Sequence, residues 1–137
     1  MNVLFILAHP ETKSFNGSLV NLGCKQFQNQ GHTVEVVDLY TSNFDPVEKA
    51  AHYADRMAED EFSPLAEQRQ AYKAETLAPE IQEQLQKLER ADIVIFQFPI
   101  WWHSVPAMLK GWMDRVFISG GTYSSKMRYD KGHYRGK

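Results

Sequence analysis

The sequence has a single cysteine, no long hydrophobic run and no strong excess of charge of either sign. Cys24 alone cannot form an internal disulfide, which fits a reducing cytoplasm. No apolar run approaches the ~18 residues of a membrane-spanning helix, and residues 3–8 are too few for the core of a signal peptide. A formal net charge of −2 offers nucleic acid no broad basic surface. We therefore expect a cytoplasmic protein that is neither an integral membrane protein nor a nucleic-acid binder.

The clearest positive signal is a strand–helix–strand pattern in the first forty residues. Residues 3–8 form a continuous apolar run, typical of a strand buried on both faces of a parallel sheet. Residues 33–38 read as a second strand, and residues 93–98 as the most hydrophobic one. The intervening helix implies parallel strands joined by a right-handed crossover.

Apolar residues at helical spacing predict three helices, which follow the first strand, precede the third strand and follow Pro106. Their predicted buried positions are Leu19, Leu22 and Phe27; Ile81, Leu85 and Leu88; and Leu109, Trp112, Met113 and Val116. Residues 41–76 contain few large apolar side chains, so we expect surface helices and loop there, with a helix opening at Asp45-Pro46. Residues 119–137 are expected to form an extended loop.

Three strands are fewer than the five of a flavodoxin-type sheet, whose order is 2-1-3-4-5. The predicted fold class is α/β: a flavodoxin-like doubly wound parallel sheet, with residues 1–137 as the N-terminal portion of a single domain. The sheet would be truncated after the third strand, leaving residues 93–98 as an open apolar edge. We therefore expect a fourth and a fifth strand to follow Lys137 or to come from another chain.

Polar residues occupy the turn between the first strand and the first helix, where α/β sheets bind ligands. His9, Ser14 and Asn16 can each donate a hydrogen bond to a phosphate, and Lys13 can act as a charge partner. A helix N-terminus adds free amides and a partial positive charge. The simpler alternative is that Ser14 only caps the helix and His9 only ends the strand.

Paired tryptophans follow the third strand. Trp101 and Trp102 lie on a loop between Pro99 and Pro106, which restrict its backbone. Adjacent loop residues point in different directions, so at least one indole is expected to line a cleft that suits a planar ring. The alternative is that both indoles anchor a subunit contact.

Three blocks of the chain resemble the flavin-dependent NAD(P)H:quinone oxidoreductases, the DT-diaphorase-like family. They are Ala8-His9-Pro10 with Ser14-Phe15-Asn16; residues 96–102 with 105–112; and residues 115–118 leading to 129–132. The blocks occur in family order across nearly the whole chain.

The resemblance implies FAD, or FMN in some members, with NAD(P)H as co-substrate and a quinone as acceptor. The implied contacts to the phosphates and ribityl chain come from His9, Ser14, Phe15 and Asn16, and those to the isoalloxazine come from Pro99, Ile100, Trp101, Trp102 and His103. It also implies a homodimer with the active site at the interface. Tyr123 matches an aromatic residue over the neighbouring subunit's quinone pocket, and Ser125 replaces a second tyrosine there.

The implied activity is ping-pong transfer of a hydride from NAD(P)H through the flavin to the quinone. No catalytic residue is identified, and His103 is only a weak candidate for a general acid. Two family features are missing: a cofactor-contacting glutamine near Phe62-Ser63-Pro64, and a Thr-Thr-Gly-Gly loop, which is not found before Lys137. Without that loop we expect weak or no flavin binding by this chain alone.

Two other functions fit the same motifs. Some relatives are flavin-binding ancillary subunits of glutathione-gated potassium efflux systems, and a truncated remnant would be inactive and colourless. The remaining histidines, His32, His52 and His133, are expected on the solvated surface, without metal ligands nearby.

Overall fold

The computed structural model describes residues 1–127 and 129–137 and contains one parallel three-stranded sheet. Its strands are β1 (Asn2–Leu7), β2 (Thr33–Asp38) and β3 (Ile93–Gln97), in the order β2-β1-β3. In the β1–β3 register, Val3 lies opposite Ile93. The three predicted strands and their parallel pairing are confirmed, with β1 displaced by one residue toward the N-terminus and β3 ending one residue earlier than expected.

The described residues form four α-helices: α1 (Phe15–Asn29), α2 (Pro64–Ala74), α3 (Pro79–Arg90) and α4 (Ala107–Val116). Short 3-10 helices lie at Ala50–His52 and Tyr129–Lys131. None of the described helices has the length and apolar character needed to cross a membrane.

The core lies in two layers because successive β1 side chains point to opposite faces. Leu4 and Ile6 pack with residues of α3 and α4 on one face, including Ile81 and Trp112. Val3, Phe5 and Leu7 pack against α1 on the other face. This arrangement confirms a sheet covered by helices on both sides, and it confirms the predicted faces of α3 and α4.

The buried face of α1 differs from the prediction. Val20 is buried, and Cys24 and Phe27 pack beside it, whereas Leu22 is 55% exposed. The helix approaches the sheet closely at Gly23, where an added Cβ would lie 2.8 Å from the Phe5 ring. This contact fixes the helix rotation, so the Val20 side faces the sheet.

The predicted helix opening at Asp45-Pro46 is wrong. Asp45 Oδ1 accepts a hydrogen bond from the Val47 amide at 3.0 Å, which closes a turn at that position. The helix begins instead at Pro64, where proline is favoured because its missing N–H would have no helical partner.

The 41–76 region also contributes buried polar groups, which its composition did not predict. Glu67 is buried, and its carboxylate accepts hydrogen bonds from Arg56 Nε and the Met57 amide. Gln68 is buried as well and donates to the Asp114 carbonyl oxygen at 2.8 Å. These bonds pair the Glu67 carboxylate and the Gln68 amide nitrogen and so offset the cost of burying them, whereas Gln68 Oε1 is buried without a hydrogen-bond partner among the described residues.

Two other surface expectations are revised. Residues 119–127 form tight turns rather than an extended loop, because the Ile118 carbonyl accepts hydrogen bonds from the Gly121 and Thr122 amides. His52 is largely buried and lies between carboxylates, with Nε2 3.3 Å from Asp45 and Nδ1 3.7 Å from Glu48. No group of three His, Cys, Asp or Glu residues suited to a metal occurs within the described chain.

Candidate functional site

The carboxyl ends of β1 and β3 lie side by side, and the loops that leave them meet at one rim of the sheet. We call this the strand-end rim, formed by residues 8–16 and 97–104. The rings of His9 and Trp101 lie 6.4 Å apart between centroids, with their planes inclined by 56°. The structure therefore brings together the polar loop and the tryptophan loop that the sequence singled out.

A side-chain hydrogen bond joins the two halves of this rim. Gln97 Nε2 donates to Asn16 Oδ1 at 2.7 Å. Gln97 is the last residue of β3, and Asn16 lies in the first turn of α1. The bond fixes the start of the helix against the end of the strand and orients the Asn16 side chain.

The loop after β1 is tightly folded over the start of α1. His9 Nδ1 lies 3.0 Å from the Glu11 amide nitrogen. Ser14 Oγ accepts a hydrogen bond from the Gly17 amide at 3.1 Å, so Ser14 is the N-cap of α1. The cap uses the hydroxyl as an acceptor and leaves its proton available to a ligand.

Lys13 is exposed in the same loop. Its amide donates to Glu11 Oε1 at 2.8 Å. Within residues 1–127 and 129–137, its ammonium group forms no ion pair within 4 Å. The loop therefore offers an exposed ammonium group next to the positive end of the helix dipole.

The loop after β3 contains a strained turn. Trp101 and Ser104 exchange two backbone hydrogen bonds, each 3.0 Å long. The two residues between them have positive φ angles, 50° at Trp102 and 60° at His103, the pattern of a type I′ turn. Glycine and asparagine usually occupy such positions, and each other residue costs about 1–3 kcal/mol. Such strain is concentrated at binding and active sites.

The turn presents apolar side chains to solvent. Trp102 is 96% exposed, Ile100 77% and Trp101 42%, and Phe15 at the start of α1 is 75% exposed. Large apolar side chains grouped at one rim commonly mark a binding surface. With the polar groups of the first loop beside them, they suit a ligand that has both a planar ring and a phosphate.

Tyr123 and Ser125 lie outside the strand-end rim. Both line a cavity of about 470 Å³ in the loop that follows α4. The ten residues of α4 span about 15 Å along the helix axis, which separates this cavity from the strand-end rim. The structure does not bring these two residues to the rim of their own chain.

A family model described as a flavodoxin-like fold matches residues 1–137, the entire chain. The chain belongs to the flavodoxin-like fold family.

Mouse (Mus musculus) ribosyldihydronicotinamide dehydrogenase (quinone) is 45% identical over 136 residues, which cover 98% of this chain and 59% of that protein. Guinea-pig (Cavia porcellus) NAD(P)H dehydrogenase (quinone) 1 is 42% identical over 135 residues, covering 98% and 49%. A structure from Klebsiella pneumoniae assigned as a quinone reductase superposes with a TM-score of 0.91 at 39% identity, covering 100% of this chain and 56% of that one. The chain thus spans about half the length of the curated relatives it matches.

Two features of this flavodoxin-like rim were not predicted from the sequence. Gln97 is a polar residue at the end of an otherwise apolar strand, and that contrast was the available signal. The positive φ angles of the turn gave no signal, because Trp102 does not favour that conformation and one histidine, His103, adopts it too seldom to indicate a turn.

Proposed function

We propose that this chain is the flavin-binding part of an NAD(P)H:quinone oxidoreductase. The approach of His9 and Trp101 at the strand-end rim carries the proposal, because it sets a phosphate-binding loop beside an aromatic wall. The likeness to quinone-reducing relatives at 42–45% identity supports the same activity.

The residues of the rim fit a flavin. Free amides and side-chain donors at the start of α1 suit the phosphates and ribityl chain, and the exposed apolar surface of the 100–102 turn suits a planar ring. FAD is the proposed cofactor, with FMN as the alternative. The proposed contacts are His9, Lys13, Ser14, Phe15 and Asn16 for the phosphate side, and Pro99, Ile100, Trp101, Trp102 and His103 for the ring side.

A flavin held by these residues would supply the redox chemistry, namely hydride transfer from NAD(P)H to a quinone in a ping-pong cycle. The protein positions the groups that would hold the flavin. The strained turn holds its side chains and amides in a fixed geometry, and the Gln97–Asn16 bond holds the two loops together. NAD(P)H is the proposed donor. Dihydronicotinamide riboside, which lacks the pyrophosphate, is the alternative raised by the name of the mouse relative.

We also propose a cytoplasmic homodimer in which Tyr123 and Ser125 of one copy wall the quinone pocket of the other. Their distance from the rim of their own chain supports this assignment. The sheet would be completed by a fourth and a fifth strand beyond β3, since β3 pairs only with β1 among the described residues.

Steady-state kinetics of the flavin-loaded full-length protein test the proposal. Oxidation of NADH or NADPH should depend on added quinone, and double-reciprocal plots at several fixed quinone concentrations should be parallel. Intersecting lines would contradict the ping-pong order. Absence of quinone-dependent oxidation would reject the enzyme, and capture of a potassium transporter in that case would favour the regulatory alternative.

A further inference from the structure

A basic cavity lies outside the strand-end rim, in the loop after α4. We call it the Arg69 cavity, of about 470 Å³. Its lining residues are Arg69, Ser119, Gly120, Tyr123, Ser124, Ser125 and Lys126. Two of these side chains are cationic, four carry hydroxyl groups and none carries a carboxylate. This lining favours an anionic ligand with several oxygen acceptors.

Arg69 is held in place by the loop that it faces. Arg69 Nη2 donates to Ser119 Oγ at 3.1 Å. Gly120 has a φ of +82°, and an added Cβ would lie 3.1 Å from Arg69 Cγ. The loop thus passes directly over the Arg69 side chain, in a conformation that only glycine adopts without strain. The guanidinium is positioned before any ligand arrives.

The loop itself is rigid. The Ile118 amide donates to Thr122 Oγ1 at 2.8 Å, and the Gly120 amide donates to the Tyr123 carbonyl oxygen at 2.7 Å. An added Cβ at Gly121 would lie 3.0 Å from the Tyr72 ring, so the loop also packs closely on α2. A preorganised loop lowers the entropic cost of holding a ligand.

The positive charge of the cavity is not neutralised within the part of the chain that the structure describes. Neither Arg69 nor Lys126 lies within 4 Å of a carboxylate there. Two free cations beside hydroxyl donors match the requirements of a phosphate or pyrophosphate.

Tyr123 provides a second contact surface for the ligand. Its half-exposed ring lines the Arg69 cavity and also a neighbouring cleft of about 620 Å³ that includes Leu65, Met113 and Phe117. A ligand with phosphates in the cavity can therefore stack an aromatic group on Tyr123.

We propose that the Arg69 cavity binds the phosphate groups of the reduced nicotinamide dinucleotide, and so selects that donor over a dihydronicotinamide riboside. This rests on the proposed function. Because α4 separates the cavity from the rim of the same chain, a dinucleotide held there would serve the flavin site of the second copy in the proposed homodimer.

Donor kinetics of the flavin-loaded full-length protein test the proposal. The double variant Arg69→Gln/Lys126→Gln should raise the KM for NADH and NADPH by roughly tenfold or more, the loss expected from one charge-assisted hydrogen bond. Its kcat and its KM for dihydronicotinamide riboside should stay unchanged. Lys25→Gln/Lys73→Gln is the matched control, because it removes two exposed cations, one of them on α2 four residues from Arg69.

A KM that is unchanged for all three donors, or raised equally for all three, would overturn the inference and leave the proposed function standing. A wild-type protein that oxidises none of the donors with quinone would overturn the proposed function instead. Calorimetric titration with inorganic pyrophosphate is independent of turnover: binding should occur in the wild type and the control and be lost in the double variant. A wild type that does not bind pyrophosphate would overturn the phosphate site.

Discussion

His103 and Trp102 occupy backbone conformations that cost free energy, and neither lies in the core that would repay it. A turn of glycine or asparagine would form the same hydrogen bonds between Trp101 and Ser104 with less strain. The strain therefore indicates that binding at the strand-end rim requires these side chains or the amides between them.

Substitutions at His103 test this strain. Asparagine tolerates positive φ, so His103→Asn should leave the free energy of unfolding within about 0.5 kcal/mol of wild type. Valine is β-branched and does not tolerate it, so His103→Val should lower that free energy by about 1–2 kcal/mol. Urea denaturation of both variants makes the comparison. Equal stability of the two would show that the turn is not strained in solution.

Ionisation of the Tyr53 phenol makes the stability of the fold depend on pH in the alkaline range. Burial raises the pKa of its phenol well above the ordinary value of 10, and the nearby Glu48 carboxylate adds to the rise. The folded state therefore favours the protonated phenol. This stabilisation is fully present below about pH 10, the pKa in the unfolded chain, and is lost as the pH rises further.

The free energy of unfolding should accordingly fall as the pH rises above about 10. The fall should be smaller in Tyr53→Phe, although part should remain because burial also raises the pKa of Tyr134. Denaturant titrations at several pH values measure both slopes. Identical slopes in the two proteins would contradict the role of Tyr53.

Among the secondary-structure elements, those whose apolar pattern is set by a single packing surface were predicted well. The stripe of Ile81, Leu85 and Leu88 and the run at residues 93–98 both identify their elements. The face of α1 was predicted correctly at Phe27 and wrongly at Leu19 and Leu22, because both sides of the helix carry apolar residues and the approach at Gly23 selects one of them. The turn at Asp45 was missed because it depends on distant contacts.

One such distant contact joins α4 to this turn. Gly111 lies against Pro46, and an added Cβ would be 2.7 Å from the Pro46 carbonyl carbon. Helix propensity alone would make Gly111→Ala stabilising by about 1 kcal/mol. The overlap should instead make it destabilising by about 2 kcal/mol or more.

Lys110→Ala, at an exposed neighbouring position, is the control and should change stability by less than about 1 kcal/mol even though it removes the ion pair with Asp114. Thermal or chemical denaturation measures both variants. A stabilised Gly111→Ala protein would mean that α4 does not pack on the turn at Pro46 as described.

At the scale of the whole molecule, β3 is the edge strand of the described sheet to which the proposed further strands would add. The five residues of β3 are only half-buried, and β3 pairs on one side alone within the described chain. If a further strand pairs with the free edge, as proposed, the β3 amides that face away from β1 should exchange slowly with deuterium in the full-length protein. Fast exchange there would show that the edge stays open.

The sequence predicted the location of the candidate site better than its geometry. Parallel strands bring their carboxyl ends to one edge, so two loops with unusual residues were expected to meet, and His9 and Trp101 do meet. The Gln97–Asn16 bond and the positive φ angles of the turn depend on three-dimensional placement. Arg69 carried no signal because its role depends on a loop fifty residues away.

Flavin titration of the full-length protein, monitored by the quenching of flavin fluorescence, tests whether the two loops bind one cofactor together. Trp101→Ala alone and Asn16→Ala alone should each weaken FAD binding by roughly tenfold or more. Leu22→Ala, an exposed position on α1 away from the rim, should leave it unchanged. If FAD binds equally tightly to all four proteins, the strand-end rim is not the flavin site.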